Sequence, residues 1–151
     1  TGVGALAFLN RCLTNDLTKI QDGSAQYTLL CTPQGGVVDD LIAYRNSETD
    51  FFLVPNASNT TDVVAVLQQQ APAEITVTNL HNDYAVLAVQ GPLAPQVLIA
   101  LGISTDIDYM VVFNLPAFCK LPCFGSVLVH NVLTHSFYFF CVILYPTFVI
   151  K

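Results

Sequence analysis

Positive charge is scarce in this chain of 151 residues: five Lys and Arg stand against eleven Asp and Glu, a formal net charge of -6. That balance argues against nucleic acid as a partner, because phosphate binding needs a clustered positive surface. Charge of either sign is thin, at 11% of residues, where an average globular domain carries about 25%. No P-loop, G-x-G-x-x-G or Ser-His-Asp order occurs, which removes the usual nucleotide-cradle and triad signatures. There is no internal repeat and no low-complexity tract. The first residues lack the charged region and apolar stretch of a signal peptide. Cys12, Cys31, Cys119, Cys123 and Cys141 are odd in number and irregularly spaced, so no disulfide framework is implied. A reducing, cytoplasmic setting is expected. The glycosylation sequons at Asn56-Ala57-Ser58 and Asn59-Thr60-Thr61 are therefore read as chance.

What the chain does have is a hairpin pattern. Gln26 to Cys31 and Val37 to Tyr44 are β-patterned runs around Thr32-Pro33-Gln34-Gly35-Gly36, and the second opens on two adjacent carboxylates. Strand residues alternate faces, so Asp40 goes with Val38, Ile42 and Tyr44, and Asp39 with Val37, Leu41, Ala43 and Arg45. A carboxylate among apolar neighbours costs several kcal/mol unless neutralised or hydrogen-bonded, which makes Asp40 the first candidate for chemistry. The plainer alternative is a strand-end carboxylate that accepts N–H bonds from the turn. Pairing symmetric about Gln34 and Gly35 sets Tyr27 opposite Ile42 and diagonal to Asp40 and Tyr44. That gathers two phenols and a carboxylate on one patch.

The remaining periodicities predict an amphipathic helix over 3–13, with Val3, Leu6, Ala7, Leu9 and Leu13 on its apolar face, and a short strand Phe51 to Val54. A helix capped by Asn59 or Thr60 runs to about Gln70. Glu74 to Thr78 reads as a half-exposed strand and Tyr84 to Val89 as a buried one. Gly91-Pro92 opens a helix to Leu101. This order predicts an α+β fold, helices packed on a mainly antiparallel sheet.

Residues 121–150 contain no Asp, Glu, Lys or Arg. A membrane helix over 127–147 has the length, but His130, Asn131, Thr134, His135 and Ser136 interrupt it, and the β-branched and aromatic bias favours a strand. Cys119-x3-Cys123 and His130-x4-His135 are too closely spaced for a finger-type zinc site, so no metal is expected. His81 lies in a polar turn. Asp16, beside Asn15, reads as a cap for the first helix.

Several blocks then occur together: Leu13-Thr14-Asn15-Asp16, Ala25-Gln26-Tyr27, Gly35-Gly36-Val37-Val38-Asp39-Asp40-Leu41-Ile42, Asn56-Ala57-Ser58-Asn59 and Ala88-Val89-Gln90-Gly91-Pro92. In order and spacing, over about residues 3–110, the chain resembles the folate-binding region of the glycine cleavage T-proteins, the aminomethyltransferases. The resemblance implies one-carbon transfer from an aminomethyl-bearing lipoyl H-protein to tetrahydrofolate, with ammonia released. It implies that Asp40 is the key acidic residue, that Tyr27 contacts folate, and that Ile42, Tyr44, Val54 and Asn56 line the pterin pocket.

The departures are also marked. Where the family carries Arg-Thr-Gly-Tyr-Thr-Gly-Glu, this chain reads Phe124-Gly125-Ser126-Val127-Leu128-Val129-His130. Pro55 stands where Val is usual, and a mid-strand Pro removes a ladder donor. The expected division is a partial folate-binding domain over 1–110 and a divergent apolar tail over 111–151. The coincidence of motif loss and charge loss near Phe113 resembles a shifted reading frame or chimeric coding end, a hypothesis that fails if no alternative frame restores the motif. A fragment so built is expected to be weakly active or inactive. The alternatives are the folate domain of a sarcosine or dimethylglycine dehydrogenase, and a noncatalytic binding module.

Overall fold

The turn at Thr32 to Gly36 closes the first hairpin, and its bonds explain its sequence. The Gly35 N–H donates to the Thr32 carbonyl at 2.9 Å, and the Thr32 N–H donates to the Gly36 carbonyl at 2.7 Å. The Thr32 hydroxyl accepts from the Gly36 N–H at 3.1 Å. Gly35 sits at φ 84°, a left-handed conformation that side chains rarely adopt. The computed structural model describes residues 1–102, Thr105, Met110 and three later strands, Val112–Pro116, Phe124–Thr134 and Phe137–Pro146.

The chain divides into two compact units, Thr1–His81 and Asn82–Lys151. In the first, α1 (Ala5–Cys12) leads through a 3-10 turn (Leu17–Lys19) into β1 (Ser24–Cys31). The strands β2 (Val37–Ser47) and β3 (Asp50–Val54) complete an antiparallel sheet of order β1-β2-β3, and α2 (Thr60–Gln70) follows. One core joins both helices to the sheet: Ala5, Phe8 and Leu9 of α1, Leu30 of β1, Leu41 and Ala43 of β2, Val63 and Leu67 of α2, with Leu13, Leu17 and Ile75. Each fully buried leucine of this set contributes about 1.5–3 kcal/mol relative to exposure.

The second unit holds β4 (Ala85–Gln90), α3 (Ala94–Ala100), β5 (Val112–Pro116), β6 (Phe124–Thr134) and β7 (Phe137–Pro146). Its sheet is antiparallel throughout, of order β4-β7-β6-β5, and α3 buries Ala94 and Leu98 one turn apart. The fold is α+β with antiparallel sheets, as the sequence pattern predicts. The compact units part at His81/Asn82, whereas the composition changes near residue 110.

Three details differ from expectation. Val3 is exposed and precedes α1, because Gly4 at φ 86° starts the helix after it; the buried face is Ala5, Phe8 and Leu9 instead. Glu74 to Thr78 joins no sheet, since its backbone partners lie elsewhere: Thr76 and Thr1 bond twice, both at 2.8 Å, and Gln68 donates to the Val77 carbonyl. Pro55 lies just past the end of β3 rather than mid-strand, so it costs no ladder bond. Val127 to Thr134 and Phe137 to Pro146 lie in β6 and β7, in line with the strand bias read there, and among the described residues no helix is long and apolar enough to cross a membrane.

Candidate functional site

The register of the three-stranded sheet sets five of the expected site residues on one face. Tyr27 pairs with Ile42 and Ile42 with Val54, forming a row across β1, β2 and β3. Tyr44 pairs with Ala25 and Phe52, and its ring tilts against Phe52 with centroids 6.3 Å apart. Asp40 pairs with Leu29 beside Tyr27. Directly paired residues project to the same side, so Tyr27, Asp40, Ile42, Tyr44 and Val54 share a face. Tyr27 is 48% exposed and Asp40 is exposed, whereas Ile42 and Tyr44 are buried.

An edge segment holds Tyr27 in place. The Asn15 side-chain amide donates to the Tyr27 carbonyl, and the Asn15 N–H donates to Thr28 Oγ1 at 3.1 Å. Thr14 bonds Leu29 through its N–H, at 3.0 Å, and its hydroxyl, at 3.1 Å. Leu13 to Asn15 thus covers the outer edge of β1. Asp16 caps the 3-10 turn rather than α1: its carboxylate accepts from the Thr18 hydroxyl at 2.6 Å and the Thr18 N–H at 3.0 Å. Those bonds hold its carboxyl below the ordinary value.

The two carboxylates are arranged the other way round from the expectation that Asp40 is the one enclosed by apolar groups. Asp39 is 2% exposed, on the core side with Leu41 and Ala43. Alternation itself holds from Asp39 onward, but both faces of β2 are apolar, so the pattern does not say which one helices cover. A β-bulge adds to this. Leu30 pairs with Asp39 and Cys31 with Val37, which leaves Val38 as the extra residue, packed against the core. Arg45, on the same side as Asp39, is also drawn in. Its guanidinium bonds Asp22 at 2.7 Å and the carbonyls of Ile20, at 3.0 Å, and Leu17, at 3.5 Å.

Asp39 survives burial because amides surround it. Asn56 donates its N–H to Oδ2 at 2.8 Å and its side-chain amide to Oδ1 at 2.9 Å, and Asn59 donates to the same Oδ1 at 2.7 Å. Burial pushes this carboxyl up, and the bonds from Asn56 and Asn59 outweigh it, leaving it below the ordinary carboxylate value. The Asn56 amide also reaches the carbonyl oxygen and Oδ1 of Asp40, both at 3.1 Å. With two hydrogens for three acceptors, the Asp40 oxygens share one. Asn59 is the N-cap residue of α2 yet makes no side-chain cap: its NH2 donates to Asp39 and its Oδ1 accepts from the Ser58 hydroxyl at 3.1 Å. Asp39 and Asn59 are the members sequence reasoning missed. The available signal was Asn-x-x-Asn directly after a strand that neighbours a carboxylate.

His81 is exposed, and its N–H donates to Asn79 Oδ1 at 2.9 Å. Cys119, Cys123 and His135 of the weighed zinc pattern lie outside the described residues, as does the side chain of His130. Cys12 and Cys31 are free thiols.

The family model described as the GCVT N-terminal domain matches residues 1–122. Aminomethyltransferases of Mycobacterium bovis and Mycobacterium tuberculosis are 60% identical over 109 residues, 72% of this chain and 30% of each relative. That of Frankia alni is 56% identical over 110 residues, 73% of this chain and 30% of the relative. The chain therefore spans about 30% of the length of these curated relatives. Among solved structures, the glycine cleavage system aminomethyltransferase T from Bartonella henselae superposes with a TM-score of 0.77 at 28% identity. The superposition covers 95% of this chain and 37% of that one.

Proposed function

This chain belongs to the GCVT N-terminal domain family, and on that premise we propose that the face carrying Tyr27, Asp40, Ile42, Tyr44 and Val54 is one wall of a tetrahydrofolate site. The reaction served is transfer of a one-carbon unit from the aminomethyl-lipoyl arm of an H-protein to tetrahydrofolate, with ammonia leaving. Asp40 binds the polar edge of the pterin and takes up the proton released as the folate nitrogen bonds to carbon. Tyr27 offers a half-exposed ring for the pterin face, Ile42 and Val54 an apolar floor, and Asn56 holds Asp40. The reaction leaves a dithiol on its carrier, in keeping with a reducing, cytoplasmic setting.

The observation that carries this reading is the Asn56 amide bonded to two oxygens of Asp40, beside the paired row Tyr27, Ile42 and Val54. An exposed carboxylate fixed beside this row suits a ligand with a flat body and a polar edge. The chain alone has little transferase activity, because it lacks the Arg-Thr-Gly-Tyr-Thr-Gly-Glu segment and so one wall of the pocket. Titration of the purified chain with tetrahydrofolate, beside an Asp40→Asn variant, tests the site. Saturable binding weakened by the substitution supports it; equal binding, or none in either protein, removes Asp40 from the role.

A further inference from the structure

The backbone of Asp40 is fixed in β2, but its carboxylate is held from outside. Its carboxylate and carbonyl accept from one N–H of Asn56, and the orientation of that amide is decided on its other side, by Asp39. An asparagine amide turns over by a half rotation at its terminal torsion, and its two ends differ only in whether they donate or accept. Here Asp39 Oδ1 and two oxygens of Asp40 are all acceptors on the nitrogen end, so only one orientation satisfies them. Asp39 in turn is pinned by the Asn56 backbone N–H, which cannot turn over, and by Asn59 at the start of α2. We propose that Asp39 is the positioning residue of this site, fixing Asn56 and through it the carboxylate of Asp40. The proposal rests on the reading of the Asp40 face as a folate wall.

The isosteric change Asp39→Asn probes the effect, and the Asn56→Ala background separates the route through Asn56 from the direct Asp40 N–H bond to Asp39. An asparagine at this position has one acceptor oxygen against four incoming donors: the Asn56 N–H and side-chain amide, the Asn59 amide and the Asp40 N–H. Its oxygen stays with the fixed backbone N–H of Asn56, which turns its own NH2 toward the amides of Asn56 and Asn59. Asn56 must then flip to present oxygen, and that oxygen opposes the carbonyl and carboxylate of Asp40. Asp40 swings away from the row beside Tyr27 with no change in its own chemistry.

The test is a double-mutant cycle on the full chain, read by tetrahydrofolate titration and by the NMR signals of the Asn56 side-chain amide. Asp39→Asn is expected to shift those signals toward a solvent-exposed amide and to weaken tetrahydrofolate about tenfold, a change equivalent to about 1.4 kcal/mol. Asp40→Asn weakens binding with Asn56 still held by Asp39. Asn56→Ala and the Asp39→Asn/Asn56→Ala pair bind alike, since a relay cut once is cut. If Asp39→Asn does not fold, Asn59→Ala, which removes one anchor and leaves the carboxylate, weakens binding in the same direction. Wild-type affinity in Asp39→Asn, or in Asn59→Ala where that variant stands in for it, while Asp40→Asn is impaired overturns this proposal alone. So do additive losses in the cycle. A wild-type chain that binds no tetrahydrofolate, or an Asp40→Asn chain that binds as well as wild type, overturns the folate reading and this proposal with it.

Discussion

Asn56 donates twice to Asp39, from its backbone at 2.8 Å and its side chain at 2.9 Å, so the residue pair clamps the segment after β3 to the start of β2. Asn59 adds a third bond at 2.7 Å and brings α2 into the same clamp. The arrangement ties β2, the segment after β3 and the start of α2 to one buried charge.

Removing the third bond leaves that charge short of a donor. Asn59→Ala is expected to destabilise the chain by about 1.5–3 kcal/mol, the range for a hydrogen bond to a charged group. Urea unfolding measures it; a loss within about 0.5 kcal/mol, typical of surface changes, would show the bond to be idle.

The same clamp fixes a pH dependence. The folded carboxyl of Asp39 lies below its unfolded value of about 3.9. Its contribution is therefore present above that value and lost as pH falls through the lower, folded one. Asp39→Asn should be less stable than wild type at neutral pH, with the gap closing in acid. A gap that stays constant from neutral pH into acid refutes the assignment. Using the difference cancels the similar slope from Asp16, whose carboxyl is also lowered.

Arg45 and Asp22 make an ion pair at 2.7 Å, but the Asp22 side chain is 58% exposed. Asp22→Asn should cost less than about 1 kcal/mol, as exposed pairs do. Arg45→Met also strips the Leu17 and Ile20 carbonyls of their donor and should cost about 1–3 kcal/mol. The reverse ranking in chemical denaturation would mean that the pair, not the carbonyls, is what Arg45 serves.

Gly2 has φ 133°, and a Cβ there would collide with the Glu74 carbonyl oxygen. Gly2→Ala should push the first residues off Glu74 to Thr76. Hydrogen exchange at the Thr76 amide, which donates to the Thr1 carbonyl, is the readout. Unchanged protection would mean that the segment tolerates the methyl group.

Transferase activity gives a separate measure. With aminomethyl-loaded H-protein and tetrahydrofolate, the chain alone is expected to fall on the order of 100-fold or more below a full-length relative, the scale of a site misplaced by about 1 Å. Comparable turnover would show that the missing motif is dispensable.

Much of this was legible in the residues. Pairing symmetric about Gln34 and Gly35 sets Tyr27 opposite Ile42, as found, although the pair beside the turn, Cys31 with Val37, is one residue off and the bulge at Val38 restores the register. Which carboxylate is buried was not legible, since Leu41 and Ala43 on one face and Ile42 and Tyr44 on the other look equally apolar in a string. Asn59 reads as a helix cap, its ordinary local use, and only the tertiary approach of Asp39 diverts it. Glu74 to Thr78 alternates like a strand, yet a backbone needs a free sheet edge to become one, and this segment bonds Thr1 instead.

The bulge at Val38 acts as a length buffer. Pairing from Leu30 with Asp39 onward is set by the sheet, and the one-residue offset is confined between there and the turn. A residue gained or lost at the hairpin tip is expected to be taken up by that offset before it reaches the carboxylates. Asp39 and Asp40 keep their opposite faces, and the tip is free to diverge in length while the floor beneath it keeps its frame.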